Sequence, residues 1–177
     1  MKPKLILLSD LWGYKKSDWT NYYISNLENH FEIQYYDCCK LGELDTSIYL
    51  EENLHQQFVN GGINLAVQNL LKLEKGKTSI LGFSVGGTIG WKFALKNKNT
   101  SSLYAISSTR LRYETNKPKA KTILYYGEDD INTPKEEWYK TMNIDVFIED
   151  SEKHQMYTKP EFAKKLCNSI IKNKNTK

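Results

Sequence analysis

Apolar residues along the chain fall into short continuous runs, separated by longer stretches with helical spacing. Lys4–Leu8 holds four consecutive aliphatic residues, the mark of a strand buried on both faces. Phe31–Tyr35 alternates and reads as a second strand. Thr78–Phe83, Ser102–Ile106, Thr122–Tyr126 and Ile144–Ile148 complete the expected set. Between them, Trp19, Tyr22, Ile24 and Leu27 have helical spacing behind Ser17 and Asp18, which suit N-caps. Residues 48–59 and 61–74 predict helices that Gly61-Gly62 interrupts, the second with Leu65, Val67, Leu70 and Leu71 as its apolar face. Thr88–Leu95 predicts a helix, Pro134 opens a short one at a first-turn position, and Pro160–Ile171 closes the chain. A polar connection follows Tyr35, and Ser107–Lys119 reads as a loop. Strands alternating with helices imply an α/β fold, a three-layer α/β/α sandwich around a mostly parallel central sheet.

Composition narrows the partners. The 177 residues fit one domain, expected over residues 1–172, with a frayed polar tail at 173–177. A 40% hydrophobic and 12% aromatic content supports a packed core and excludes disorder. The net charge of +4 is spread along the chain, and its densest basic stretch, Lys172, Lys174 and Lys177, begins at the domain's last residue and runs into the tail. Nucleic-acid binding needs a basic stripe on one face, so no nucleic-acid partner is expected. The apolar run near the start is too short for a signal-peptide core, and no run approaches the ~18 residues of a membrane span. A cytoplasmic location without membrane attachment is therefore expected. Cys38, Cys39 and Cys167 form no disulfide framework and, with three histidines, give no zinc spacing. No metal and no cofactor are expected.

Candidate chemistry begins at Gly82-Phe-Ser-Val-Gly-Gly87, a G-x-S-x-G pattern between an expected strand and an expected helix. A serine on so tight a strand-to-helix turn has a strained backbone, and glycines on either side allow close approach. The turn lifts the Ser84 hydroxyl above the sheet and points the Val85 amide toward a developing oxyanion. A phosphate-binding loop is the competing reading, but no lysine follows and G-x-G-x-x-G is absent. A nucleophilic serine needs a base and an orienting acid. Of His30, His55 and His154, only His154 follows Ser84, in the loop between the last strand and the last helix. His30 and His55 read as surface or helix-end residues. The preceding strand runs into Gly127-Glu-Asp-Asp130, where three carboxylates share one loop.

These residues together resemble the α/β-hydrolase superfamily, most of all its small, uncapped dienelactone hydrolase-like branch. The resemblance covers Leu5 to about Leu166. It rests on Asp10-Leu-Trp-Gly13 after the first strand, the Gly82–Gly87 elbow, Gly127-x-x-Asp130 and the late His154. It implies a catalytic triad of Ser84, His154 and Asp130. It also implies an oxyanion hole of the Leu11 and Val85 amides, and an acidic, substrate-binding position, Asp10, near the nucleophile. The type enzyme of that branch carries Cys where this chain has Ser84, so its thiolate chemistry does not transfer.

Larger relatives insert a lid between the strands at 102–106 and 122–126, and here no insertion fits. A shallow, open site for small acyl groups is expected. Trp12, Tyr113 and Tyr126 are candidates for its mouth, and Arg110 and Arg112 for holding a substrate anion by paired hydrogen bonds. The expectation is a serine hydrolase cleaving small carboxylic esters or thioesters. The alternative is a non-catalytic small-molecule-binding or interaction protein on the same fold. A flavodoxin-like domain would share the alternation of elements, but the elbow and the late histidine argue against it.

Overall fold

The structure, a computed structural model, describes residues 2–175, the last by its backbone alone. Six strands form one sheet: β1 (Lys4–Leu8), β2 (Glu32–Tyr36), β3 (Thr78–Phe83), β4 (Thr100–Ile106), β5 (Lys121–Gly127) and β6 (Asp145–Glu149). Their order is β2-β1-β3-β4-β5-β6, and every pairing is parallel. The expected "mostly parallel" sheet is thus wholly parallel, because each connection is a crossover rather than a hairpin.

The continuous apolar runs are explained by two cores. Ile6 and Leu8 of β1 face one and Leu5 and Leu7 the other, and Leu81 and Phe83 of β3 lie opposite Ile80. On the first face pack α2 (Cys38–Leu41), α4 (Ile63–Leu73) and α5 (Val85–Lys96). On the second lie α1 (Thr20–Leu27) and α7 (Pro160–Asn175). The remaining helices are α3 (Glu51–Gln57) and α6 (Glu136–Met142).

Several local expectations shift. Neither Ser17 nor Asp18 caps α1; its N-cap position is Trp19, and the Ser17 hydroxyl donates to the Tyr14 carbonyl instead. Pro134 precedes α6 by two residues, with Lys135 at the N-cap. The polar connection after β2 holds α2, whose N-cap Asp37 accepts from the Cys39 and Lys40 amides. The interruption at Gly61-Gly62 is a kink between two helices, where Asn60 (φ −82°, ψ 20°) and Gly61 (φ 132°, ψ −23°) leave helical geometry. Residues 173–175 of the expected tail continue α7, and 176 and 177 lie outside the described residues. Among the described residues, no helix is long and apolar enough to cross a membrane.

Candidate active site

The strand order reverses direction between β1 and β3, where a parallel α/β sheet opens a crevice at its carboxyl edge. Ser84 stands at the end of β3 with φ 50° and ψ −116°, the strained turn its motif implies. The flanking glycines are required by contact. A Cβ on Gly86 would lie 2.3 Å from the Ser9 carbonyl oxygen, and one on Gly82 would lie 2.6 Å from the backbone of Gly86.

His154 begins a 3-10 turn after β6, and Asp130 follows β5. The Ser84 hydroxyl lies 3.0 Å from His154 Nε2, and His154 Nδ1 lies 2.7 Å from Asp130 Oδ2. A carboxylate only accepts, so Nδ1–H donates to Asp130 and Nε2 is left to accept from serine. Asp130 is buried, and its second oxygen accepts from the Asn132 amide at 3.2 Å. The neighbouring acids are placed differently. Glu128 accepts from the Ser151 amide, and Asp129 is exposed at the cavity wall.

Leu11 and Val85 both line the cavity beside Ser84. The Val85 amide opens α5, so it has no intrahelical acceptor. The Trp12 amide donates to Asp10 Oδ1 at 2.9 Å, which fixes the turn that carries Leu11. Asp10, expected to bind substrate, does not line the cavity: it lies buried beneath this turn, and its other oxygen accepts from the Tyr157 hydroxyl at 3.2 Å. Burial pushes the Asp10 carboxyl up from 3.8 to about 6; the Trp12 amide, the Tyr157 hydroxyl and the nearby His154 pull it partly back.

The cavity measures about 420 Å3. Trp12 and Arg110 line it as expected. Arg112 does not: its guanidinium donates to the Thr109 and Asn132 carbonyls and ties the β4–β5 connection to the Asp130 loop. Tyr113 projects into solvent, and Tyr126 is wholly buried with its hydroxyl on the Ser108 carbonyl. The β4–β5 connection carries no inserted domain, only a 3-10 turn at Thr109–Tyr113. The α3 segment supplies a wall of Glu51, His55 and Phe58 from the other side. His55 thus borders the cavity, although its position before Ser84 marked it as a plain helix-end residue. Nothing local in the sequence signals this placement. Tyr157 was also unanticipated, and it carried a signal: it stands three residues after His154, on the same 3-10 turn.

Among the described residues, no group of three or more His, Cys, Asp or Glu side chains is disposed to hold a metal ion. Cys38 and Cys39 are buried under the same turn, donating to the Ser9 and Leu11 carbonyls. Burial pushes both thiols up, Cys39 to about 12, so neither offers a thiolate at neutral pH.

This is the α/β-hydrolase fold, and solved structures match it over nearly full length. A Xanthomonas campestris pv. campestris protein described as a hydrolase of the alpha/beta superfamily superposes with TM-score 0.70 at 15% identity, covering 97% of this chain and 99% of its own. The dienelactone hydrolase-like promiscuous phosphotriesterase P91, from metagenomic libraries, gives 0.70 at 13% identity, covering 97% and 84%. Est1E from Butyrivibrio proteoclasticus, with ferulic acid bound, gives 0.68 at 12% identity, covering 99% and 90%. No protein-family model matches the chain, and no curated protein matches its sequence.

Proposed function

We propose that the chain is a serine hydrolase that cleaves small carboxylic esters or thioesters through an acyl-enzyme. The observation that carries this reading is the continuous contact from Ser84 through His154 to Asp130 at the carboxyl edge of the sheet. Ser84 Oγ attacks the acyl carbon while His154 Nε2 takes its proton. The carbonyl oxygen gains charge and is held by the Leu11 and Val85 amides. Collapse breaks the bond to the leaving group, which takes the proton from His154. Water then adds to the acyl-enzyme, losing a proton to His154; collapse breaks the bond to Ser84 Oγ, which takes that proton back from His154, and the acid is released. Asp130 keeps His154 in the tautomer that each proton transfer needs.

Substrate size follows from the walls. The cavity of about 420 Å3 has no inserted lid to bury a long chain, so methylenes beyond the first few stay wet. Each buried methylene contributes about 0.8 kcal/mol, and wet ones add little. The ferulic acid bound by Est1E is a comparably small acid, which fits this size class.

The test is a panel of nitrophenyl esters from acetate to decanoate, with acyl-CoA thioesters, run beside Ser84→Ala. Intact-mass spectrometry after fluorophosphonate treatment accompanies it. The expected results are one adduct, absent in Ser84→Ala, and kcat/KM highest for short acyl groups. An adduct that persists in the variant, or no adduct in the wild type, overturns the nucleophile. Wild-type inertness toward the whole panel favours a binding protein instead.

A further inference from the structure

A second cavity, of about 500 Å3, opens at the amino edge of the sheet, away from Ser84. The starts of β1, β3, β4 and β5 border it, and the last turns of α7 close one side. The strand β3 begins at Thr78 in this cavity and leads to Ser84, six residues at about 3.3 Å each. The two cavities are therefore about 20 Å apart, at opposite ends of the same strand.

Five lysines, Lys2, Lys4, Lys77, Lys121 and Lys174, line this cavity against one carboxylate, Glu32. That excess of four positive charges equals the net charge of the entire chain. Most of it is uncompensated. Lys4 is paired with Glu74 at 2.7 Å, but three others donate only to neutral acceptors. Lys2 reaches the Glu28 carbonyl at 2.7 Å, Lys121 reaches Asn173 Oδ1 at 3.1 Å, and Lys174 reaches the His30 carbonyl at 2.7 Å. Such bonds leave the charge in place and two further N–H donors on each ammonium. Lys77 is exposed and has no hydrogen-bond or ion-pair partner among the described residues.

The inner surface is of another kind. Phe31, Tyr104 and Ile170 are buried and form an apolar floor. Thr78, at the mouth of β3, has a hydroxyl closed off from water and without a hydrogen-bond partner. An apolar floor, a few hydroxyls and a cationic rim within 300–1,000 Å3 is the make-up of a small-molecule site. The charges ring a concavity rather than running as a stripe along a face, which disfavours a nucleic-acid backbone.

We propose that this cavity is a second binding site, independent of the Ser84 site. Its ligand is a small amphipathic anion, with an apolar body on Phe31, Tyr104 and Ile170. Its phosphate or carboxylate head is held by Lys77, Lys121 and Lys174.

The experiment titrates the full chain with octyl phosphate and with octanoate, followed by amide chemical shifts. Inorganic phosphate and 1-octanol serve as the controls. Saturable shifts should appear at the strand starts, Ser79, Ser102 and Lys121, and not at Leu11 or Val85. Tighter binding of either amphiphile supports the site and names its head group. The double variant Lys77→Glu/Lys121→Glu alters two exposed side chains and should weaken binding at least tenfold; Lys77→Gln alone should weaken it at least threefold, and decides the matter if the double variant does not fold. Raising salt to about 0.5 M should weaken wild-type binding several-fold. The proposal is overturned by shifts confined to the Ser84 cavity. It is equally overturned by 1-octanol or inorganic phosphate binding as tightly as the amphiphiles, or by unchanged affinity in the folded variants.

Discussion

Replacing Asp10 with Asn isolates one electrostatic cost of the fold. The carboxyl is buried under the β1 turn, held by the Trp12 amide and the Tyr157 hydroxyl, and raised from 3.8 to about 6. A rise of about two units corresponds to roughly 3 kcal/mol between the two protonation states. Its sign is set by which state holds the proton. Between about pH 4 and pH 6 the native protein keeps a proton that the unfolded chain has lost, so stability falls as pH rises through that window. Above it the full cost of a buried carboxylate remains. Asn keeps the acceptor for the Trp12 amide, and its amino group can donate to the Tyr157 oxygen, so the local geometry survives. The variant has no such titration. Urea unfolding of both proteins at pH 4.5 and pH 7.5 gives the comparison. The stability of Asp10→Asn relative to wild type should improve by about 2 kcal/mol between the two pH values, the part of that cost which falls inside this range. All other carboxylates are shared and cancel. Parallel profiles for the two proteins would refute the reasoning and show that Asp10 titrates as an exposed acid does.

Three further outcomes follow from the site. Asp130→Asn should lower kcat by about four orders of magnitude, because it favours the wrong imidazole tautomer, while Asp129→Asn should change it far less; steady-state kinetics on a short ester decide the order. Gly86→Ala forces a methyl group into the Leu8 and Ser9 carbonyls, which belong to a central strand and its turn; thermal unfolding should show a loss of several kcal/mol or no soluble protein. Arg110→Ala should reduce any preference for esters bearing a carboxylate, and high salt should reduce it in the wild type, whereas Arg112→Ala should leave that preference intact and lower thermal stability.

The parts of the architecture that were readable in the chain are those set by local pattern. Continuous apolar runs mark β1 and β3 because both faces of the sheet are covered, and the elbow is readable because its backbone tolerates so few residue types. The residues alone leave Glu128, Asp129 and Asp130 open as the acid; the resemblance, through Gly127-x-x-Asp130, points to Asp130, which is the one that meets His154. What escaped has two causes. Short elements are fixed by a single cap: α2 is four residues long, and Asp37 is its whole signature. Other features are set by tertiary placement. Arg110 and Arg112 are indistinguishable in sequence, but one faces the cavity and the other spends its donors on two carbonyls. His55 reaches the cavity only because α3 folds over the carboxyl edge of the sheet.

The kink at Asn60-Gly61 also divides two tasks along one stretch of chain. A helix keeps one phase only while its backbone angles stay helical; Asn60 and Gly61 leave them, so the side chains before the kink are aimed independently of those after it. The residues ahead of Asn60 carry Glu51, His55 and Phe58 on the cavity side, while the helix behind Gly61 buries Ile63, Ala66, Val67 and Leu70 in the core. Nothing lies within 4 Å of where a side chain on Gly61 would begin, so its backbone angle rather than crowding keeps glycine there. The junction uncouples the cavity wall from the core: a substitution in α3 at Glu51 or His55 changes the wall without disturbing the helix that anchors the sheet.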